Sequence, residues 1–153
     1  LTVIVYSEVV LMPGGTVLLN TMKANGAYAA LVSGGFTAFT RKIAAVLGFD
    51  ENRANTLLVA EGKLTGQAGR PILGQAAKVQ ALEEITARLG IAEADVLAVG
   101  DGANDLGMLG RAGTGVALHA KPAVQAKCNV RINHGDLTAL LFLQGYHRDN
   151  FVN

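Results

Sequence analysis

The sequence predicts an α/β fold, a doubly wound parallel sheet of the Rossmann-like kind with one small β-hairpin, and two observations predict it. Short apolar runs alternate with amphipathic segments along the whole chain, which implies strands paired in parallel through right-handed helical crossovers. Half of the residues are hydrophobic and only 16% are charged, the balance expected when strands are covered on both faces. A chain of 153 residues without repeat, low-complexity tract or linker reads as a single domain, 1–153.

The elements follow in order. Thr16 to Asn25 has helical spacing and is closed by Gly26, and Tyr28 to Ser33 is short, apolar and strand-like. A second helix is expected from Phe36 to Leu47, with Gly48 at the stop position, where a left-handed residue is tolerated. The rhythm then breaks. Leu57 to Ala60 and Lys63 to Thr65 flank Glu61-Gly62 as a hairpin. Val79, Leu82, Ile85 and Leu89 recur at helical spacing in a helix from Gln75 to Leu89 that Gly90 caps. Val96 to Gly100 is a buried strand delivering Asp101, followed by a helix from Asn104 to Arg111. Gly115 to Leu118 and Val130 to Ile132 are further strands, separated by a helix near Pro122 to Ala126, and a last helix runs from Leu137 to Leu143.

In open parallel sheets ligands bind beyond the carboxyl ends of the strands, and three features fall there. Ser33-Gly34-Gly35-Phe36-Thr37 ends a strand at a hydroxyl, and its two glycines let backbone N–H groups approach an anion at a helix start. The plain alternative is a glycine turn and nothing more. Lys78 lies in the first turn of its helix, where the dipole disfavours a cation. An anionic partner resolves that conflict, and a solvated lysine is the alternative. Gly100-Asp101-Gly102-Ala103-Asn104-Asp105 follows an apolar strand directly. Asp101 is placed to hold a hard cation such as Mg²⁺, Asn104 to donate to a phosphate, and Asp105 to orient Lys78. Simple helix capping is the competing account of these carboxylates.

Other functions find less support. A net charge of +1 without a basic stripe argues against nucleic acid. The apolar stretch Leu1 to Met12 is broken by Ser7 and Glu8 and is too short to span a membrane. Cys128 is alone, which excludes an internal disulfide and suits the cytoplasm, and as a small core residue it needs no reactivity. His119, His134 and His147 are too scattered for a local metal motif.

Taken together, Leu31 to Thr37, Lys78 and Val99 to Leu106 resemble the second, third and fourth motifs of phosphoserine phosphatases of the haloacid dehalogenase superfamily, in their usual order. The resemblance extends from Leu11-Met-Pro-Gly-Gly15 through Asn55-Thr-Leu-Leu58, Lys63-Leu-Thr-Gly66 and His119-Ala-Lys-Pro122 to His134-Gly-Asp-Leu-Thr138 and Gly145-Tyr146. It implies that Ser33, Gly34 and Gly35 bind the phosphoryl group, Lys78 neutralises it, Asp101 ligates Mg²⁺, and Asn104 and Asp105 support the site. It also implies attack by an aspartate on phosphoserine, giving an aspartyl-phosphate that water hydrolyses, in serine biosynthesis.

The family's first motif, Asp-x-Asp-x-Thr/Ser, supplies that nucleophile, and no Asp-x-Asp occurs in this sequence. The cap that follows the motif is missing too. With Leu1 opening the chain inside an apolar run, the sequence reads as the carboxyl-terminal part of a longer protein, inactive alone. The strand bearing the first motif is central in the family. Its place is expected to be filled by Leu1 to Tyr6, by a strand swapped from a second copy in a homodimer, or by the rest of a longer protein. Two other functions stay open: a phosphatase for another small phosphomonoester, and a non-catalytic phosphate-binding or interaction module.

Overall fold

The computed structural model describes residues 10–153, which divide into two compact units. The first unit comprises residues up to Ile72 together with Gly135–Asn153, and the second Leu73–His134. Leu1 to Tyr6, the proposed filler strand, lies outside the described residues.

In the first unit, helix α1 (Gly15–Ala24) starts beside Gly14 and is followed by Gly26, both with φ of 81°. Its Lys23 donates to the Gly48 carbonyl at 2.7 Å and pairs with Asp50 at 2.9 Å. Strand β1 (Ala30–Phe36), helix α2 (Thr37–Leu47) and strand β2 (Glu51–Asn55) form a β-α-β unit with the two strands parallel. Glu51-Asn-Arg-Ala-Asn carries no strand signal, because strand propensity measures fit to an apolar half-buried surface. Here polar side chains are matched one by one instead: Glu51 accepts from the Tyr28 hydroxyl at 2.9 Å, and Asn52 from the Thr40 hydroxyl at 3.1 Å. Strand β1 also runs three residues past its expected end at Ser33, so helix α2 starts at Thr37.

Strands β3 (Leu57–Ala60) and β4 (Lys63–Ala68) are the expected antiparallel hairpin. Glu61 and Gly62 take φ of 50° and 75° at its tip, the two left-handed residues that match the twist of paired strands. The final helix of the unit, α6 (Ala139–Leu143), buries Leu140 and Leu141 completely. It begins two residues later than expected. Asp136 accepts from the Thr138 amide at 2.9 Å, a local turn that competes with helix there.

The second unit holds helix α3 (Gln75–Leu89), whose end is closed by Gly90 at φ 67° as the sequence predicts. Strand β5 (Leu97–Gly100), helix α4 (Leu106–Arg111), strand β6 (Thr114–Leu118), helix α5 (Pro122–Gln125) and strand β7 (Val130–Ile132) follow. The three strands form a parallel sheet in the order β5-β6-β7. Ala98, Leu109, Ala117, Ala120, Val124 and Cys128 pack as one core beside them. Val116 is fully buried in β6, and burying such a side chain stabilises by roughly 1.5–3 kcal/mol. Cys128 is thus a core residue with a free thiol. Among the described residues β1 pairs only with β2, and β5 only with β6.

Candidate active site

The candidate residues fall at the carboxyl ends of β1 and β5, one group in each unit. At the end of β1 the parallel register breaks. Val32 pairs with Arg53 and Phe36 with Asn55, four steps along β1 against two along β2. Ser33, Gly34 and Gly35 therefore bulge out of the ladder, with both glycines exposed. The bulge is internally braced: the Gly35 amide donates to Ser33 Oγ at 3.0 Å, and Asn55 Nδ2 donates to the Gly34 carbonyl at 2.9 Å.

In the second unit the geometry centres on Asp105. One carboxylate oxygen accepts from Lys78 Nζ, and the other from the amides of Asp101 and Gly102 at 3.1 and 2.9 Å. Both partners of the ion pair are buried, Lys78 at 8% and Asp105 at 4% exposure. Burial works to raise the Asp105 pKa, yet the Lys78 ammonium and the two backbone amides prevail and hold it below its ordinary 3.8. The loop after β5 is thereby stapled to α3 through one side chain. Gly100 is required by the same packing, since a Cβ there would lie 2.5 Å from both Cβ and Cγ of Asp105.

This pair carries a pH signature. A carboxylate whose folded pKa is depressed contributes stability that is present above its unfolded value of about 3.8 and is lost as pH falls through the folded value. Urea titrations at stepped pH should therefore show stability falling below about pH 4, and Asp105→Asn should flatten that acid limb while lowering stability at neutral pH. An acid limb unchanged in the variant would assign it to other groups.

Asp101 and Asn104 project from the stapled loop and are exposed. The Asp101 carbonyl accepts from the Lys121 amide at 3.3 Å, which fixes the backbone and leaves its carboxylate without a hydrogen bond among the described residues. No cluster of three or more metal-ligating side chains occurs among the described residues. A hard cation such as Mg²⁺ binds through one or two carboxylates, completed by waters and phosphate oxygens. Asp101 fits such an ion as one ligand, with Asp105 already committed to Lys78. A cleft between α2 and the hairpin, lined by Thr37, Arg41, Lys42, Leu57, Val59 and Leu64 among others, includes none of Ser33, Gly34, Gly35, Lys78, Asp101, Asn104 and Asp105. No helix among the described residues is long and apolar enough to cross a membrane.

The parallel strands of both units end in polar turns, a glycine bulge after β1 and an aspartate loop after β5. A profile of the haloacid dehalogenase-like hydrolases matches residues 3–110, and the chain belongs to that family. The chain is similar to the phosphoserine phosphatase of Streptomyces coelicolor, at 41% identity over 145 residues, 95% of this chain and 35% of the relative. It is 47% identical over 135 residues to the phosphoserine phosphatase of Albidiferax ferrireducens, covering 86% of this chain and 57% of that protein. A solved structure described as a phospho-aspartyl intermediate analogue of phosphoserine phosphatase superposes with a TM-score of 0.85 at 38% identity, over 90% of this chain and 66% of that one. The chain thus spans from about a third to somewhat over half the length of these two curated relatives.

Asn55 carries no mark of a site residue in the sequence. It opens the stretch Asn55 to Leu58, but nothing in the sequence separates a buried strand asparagine from a loop one.

Proposed function

We propose that the chain contributes the phosphoryl-binding and charge-neutralising part of a Mg²⁺-dependent phosphoserine phosphatase acting in serine synthesis in the cytoplasm, with both units belonging to one haloacid dehalogenase-type core. Ser33, Gly34 and Gly35 bind the transferred phosphoryl group through hydroxyl and amide donors. Lys78, oriented by Asp105, neutralises charge on the phosphoryl oxygens, and Asn104 donates to one of them. Asp101 is a ligand of Mg²⁺, which when bound supplies further charge stabilisation. The nucleophile is an aspartate outside this sequence, which contains no Asp-x-Asp. Its carboxylate oxygen attacks phosphorus as the serine oxygen leaves with a proton, and water then hydrolyses the aspartyl-phosphate. By this reading the chain alone does not turn over substrate.

The observation that carries the proposal is the buried Lys78–Asp105 pair whose second carboxylate oxygen holds the Asp101 loop. A buried ion pair is poor value for stability alone, and its place beside an uncommitted aspartate suits anion and cation chemistry. Similarity to phosphoserine phosphatases over most of the chain supports the substrate.

The test is phosphate release by the complete gene product and by the isolated chain, over phosphoserine, phosphothreonine and sugar phosphates. The complete protein should favour phosphoserine, Ser33→Ala should lower its kcat/KM by about 10²-fold or more, and the isolated chain should be inert. Preference for a sugar phosphate would overturn the substrate, and turnover by the chain alone would overturn the missing-nucleophile claim.

A further inference from the structure

The bulge at the end of β1 contains a continuous line of hydrogen bonds. Asn55 Nδ2 donates to the Gly34 carbonyl, and that carbonyl belongs to the same peptide unit as the Gly35 amide, which donates in turn to Ser33 Oγ. A donor on the carbonyl of a peptide strengthens its N–H as a donor, so successive bonds in such a line polarise one another. Because Ser33 Oγ accepts from Gly35, the hydroxyl proton points elsewhere and is left for an external acceptor. Asn55 itself is 6% exposed, so its amide is held by the fold and does not follow solvent. Its backbone pairs with Phe36, the first residue after the bulge, and its side chain reaches back to Gly34.

We propose that Asn55 is a positioning residue: by donating to the Gly34 carbonyl it orients and polarises the Gly34–Gly35 peptide, so that Ser33 presents its hydroxyl proton to a phosphoryl oxygen. This rests on the phosphatase function proposed above and adds to it a residue that acts through the Gly34–Gly35 peptide. The asparagine spans the register break that two surplus residues create in β1. Without it the glycine bulge loses the Asn55 side-chain bond from β2, and glycine backbone is the least self-restrained in the molecule.

The experiment is a double-mutant cycle in the complete gene product with phosphoserine as substrate, combining Asn55→Asp with Ser33→Ala. Asn55→Asp keeps shape but sets a carboxylate oxygen against the Gly34 carbonyl. It should lower kcat/KM by about 10- to 100-fold and weaken inhibition by inorganic phosphate in parallel, with thermal unfolding close to that of the parent. In the Ser33→Ala background the same change should cost less than about 2-fold, because residues acting through one group are not additive. Additive losses, with Ser33→Ala impaired and the parent active, would overturn the inference. A parent inactive on phosphoserine, or a fully active Ser33→Ala, would instead sink the functional reading beneath it. If Asn55→Asp does not fold, Asn55→Ala is carried through the same cycle. Failure of both to fold, while Ser33→Ala folds normally, would make Asn55 a scaffold residue and reject the proposal.

Discussion

Replacing Lys78 by methionine is expected to destabilise the protein by about 3–5 kcal/mol, the cost of removing one member of a buried ion pair. Methionine fills much of the space of the lysine stem but offers no donor. The Asp105 carboxylate, 4% exposed, would keep only the two backbone amides. Its pKa should then rise, since the ammonium that offsets desolvation is gone. Urea denaturation at pH 7 is the measurement, and a loss below about 1 kcal/mol would mean that water replaces the lysine. Restoring a cation with Lys78→Arg should recover little, because the planar fork does not occupy the site of a compact ammonium. Lowering the pH toward 4 should narrow the gap between Lys78→Met and the parent, as protonation of Asp105 becomes less costly in the variant.

Gly115→Ala should have an effect as large. A Cβ at Gly115 would fall inside the Leu109 carbonyl, far nearer than any real contact, and the obstacle is backbone of the neighbouring helix α4, not a side chain that can swing away. The next residue, Val116, is fully buried, so β6 has no room to retreat. Ordinary overpacking costs about 1–3 kcal/mol, and this substitution should exceed that range and remove the cooperative transition in thermal melts. A variant melting within a few degrees of the parent would show that α4 can shift outward. Gly110→Ala is the control, since a Cβ there meets nothing within 4 Å.

Periodic elements were readable because one physical rule fixes each of them. Helix α3 follows from the spacing of Val79, Leu82, Ile85 and Leu89 with a left-handed glycine at its end, and β7 from three residues between polar neighbours. Strand β2 was not readable: its five residues carry one apolar side chain, Ala54, and become a strand through pairing with β1 and partners distant in sequence. Among the candidate residues, Ser33, Lys78 and Asp101 are visible in the sequence because glycines or a helix dipole make them conspicuous. The bulge was not, since a register offset exists only once two strands are paired. Asn55 shares that fate, because its meaning lies in the carbonyl it reaches.

The crowding of Gly100 against Asp105 couples two letters of the sequence. Any side chain at 100 must evict the one at 105, and eviction strands the ammonium of Lys78. A pool of genes randomised at position 100 and selected for growth should thus return glycine alone, and one randomised at 100 and 105 together should not escape, because no second residue both vacates that space and answers the lysine. At this turn, tolerance to mutation is therefore lowest at the residue that carries least mass.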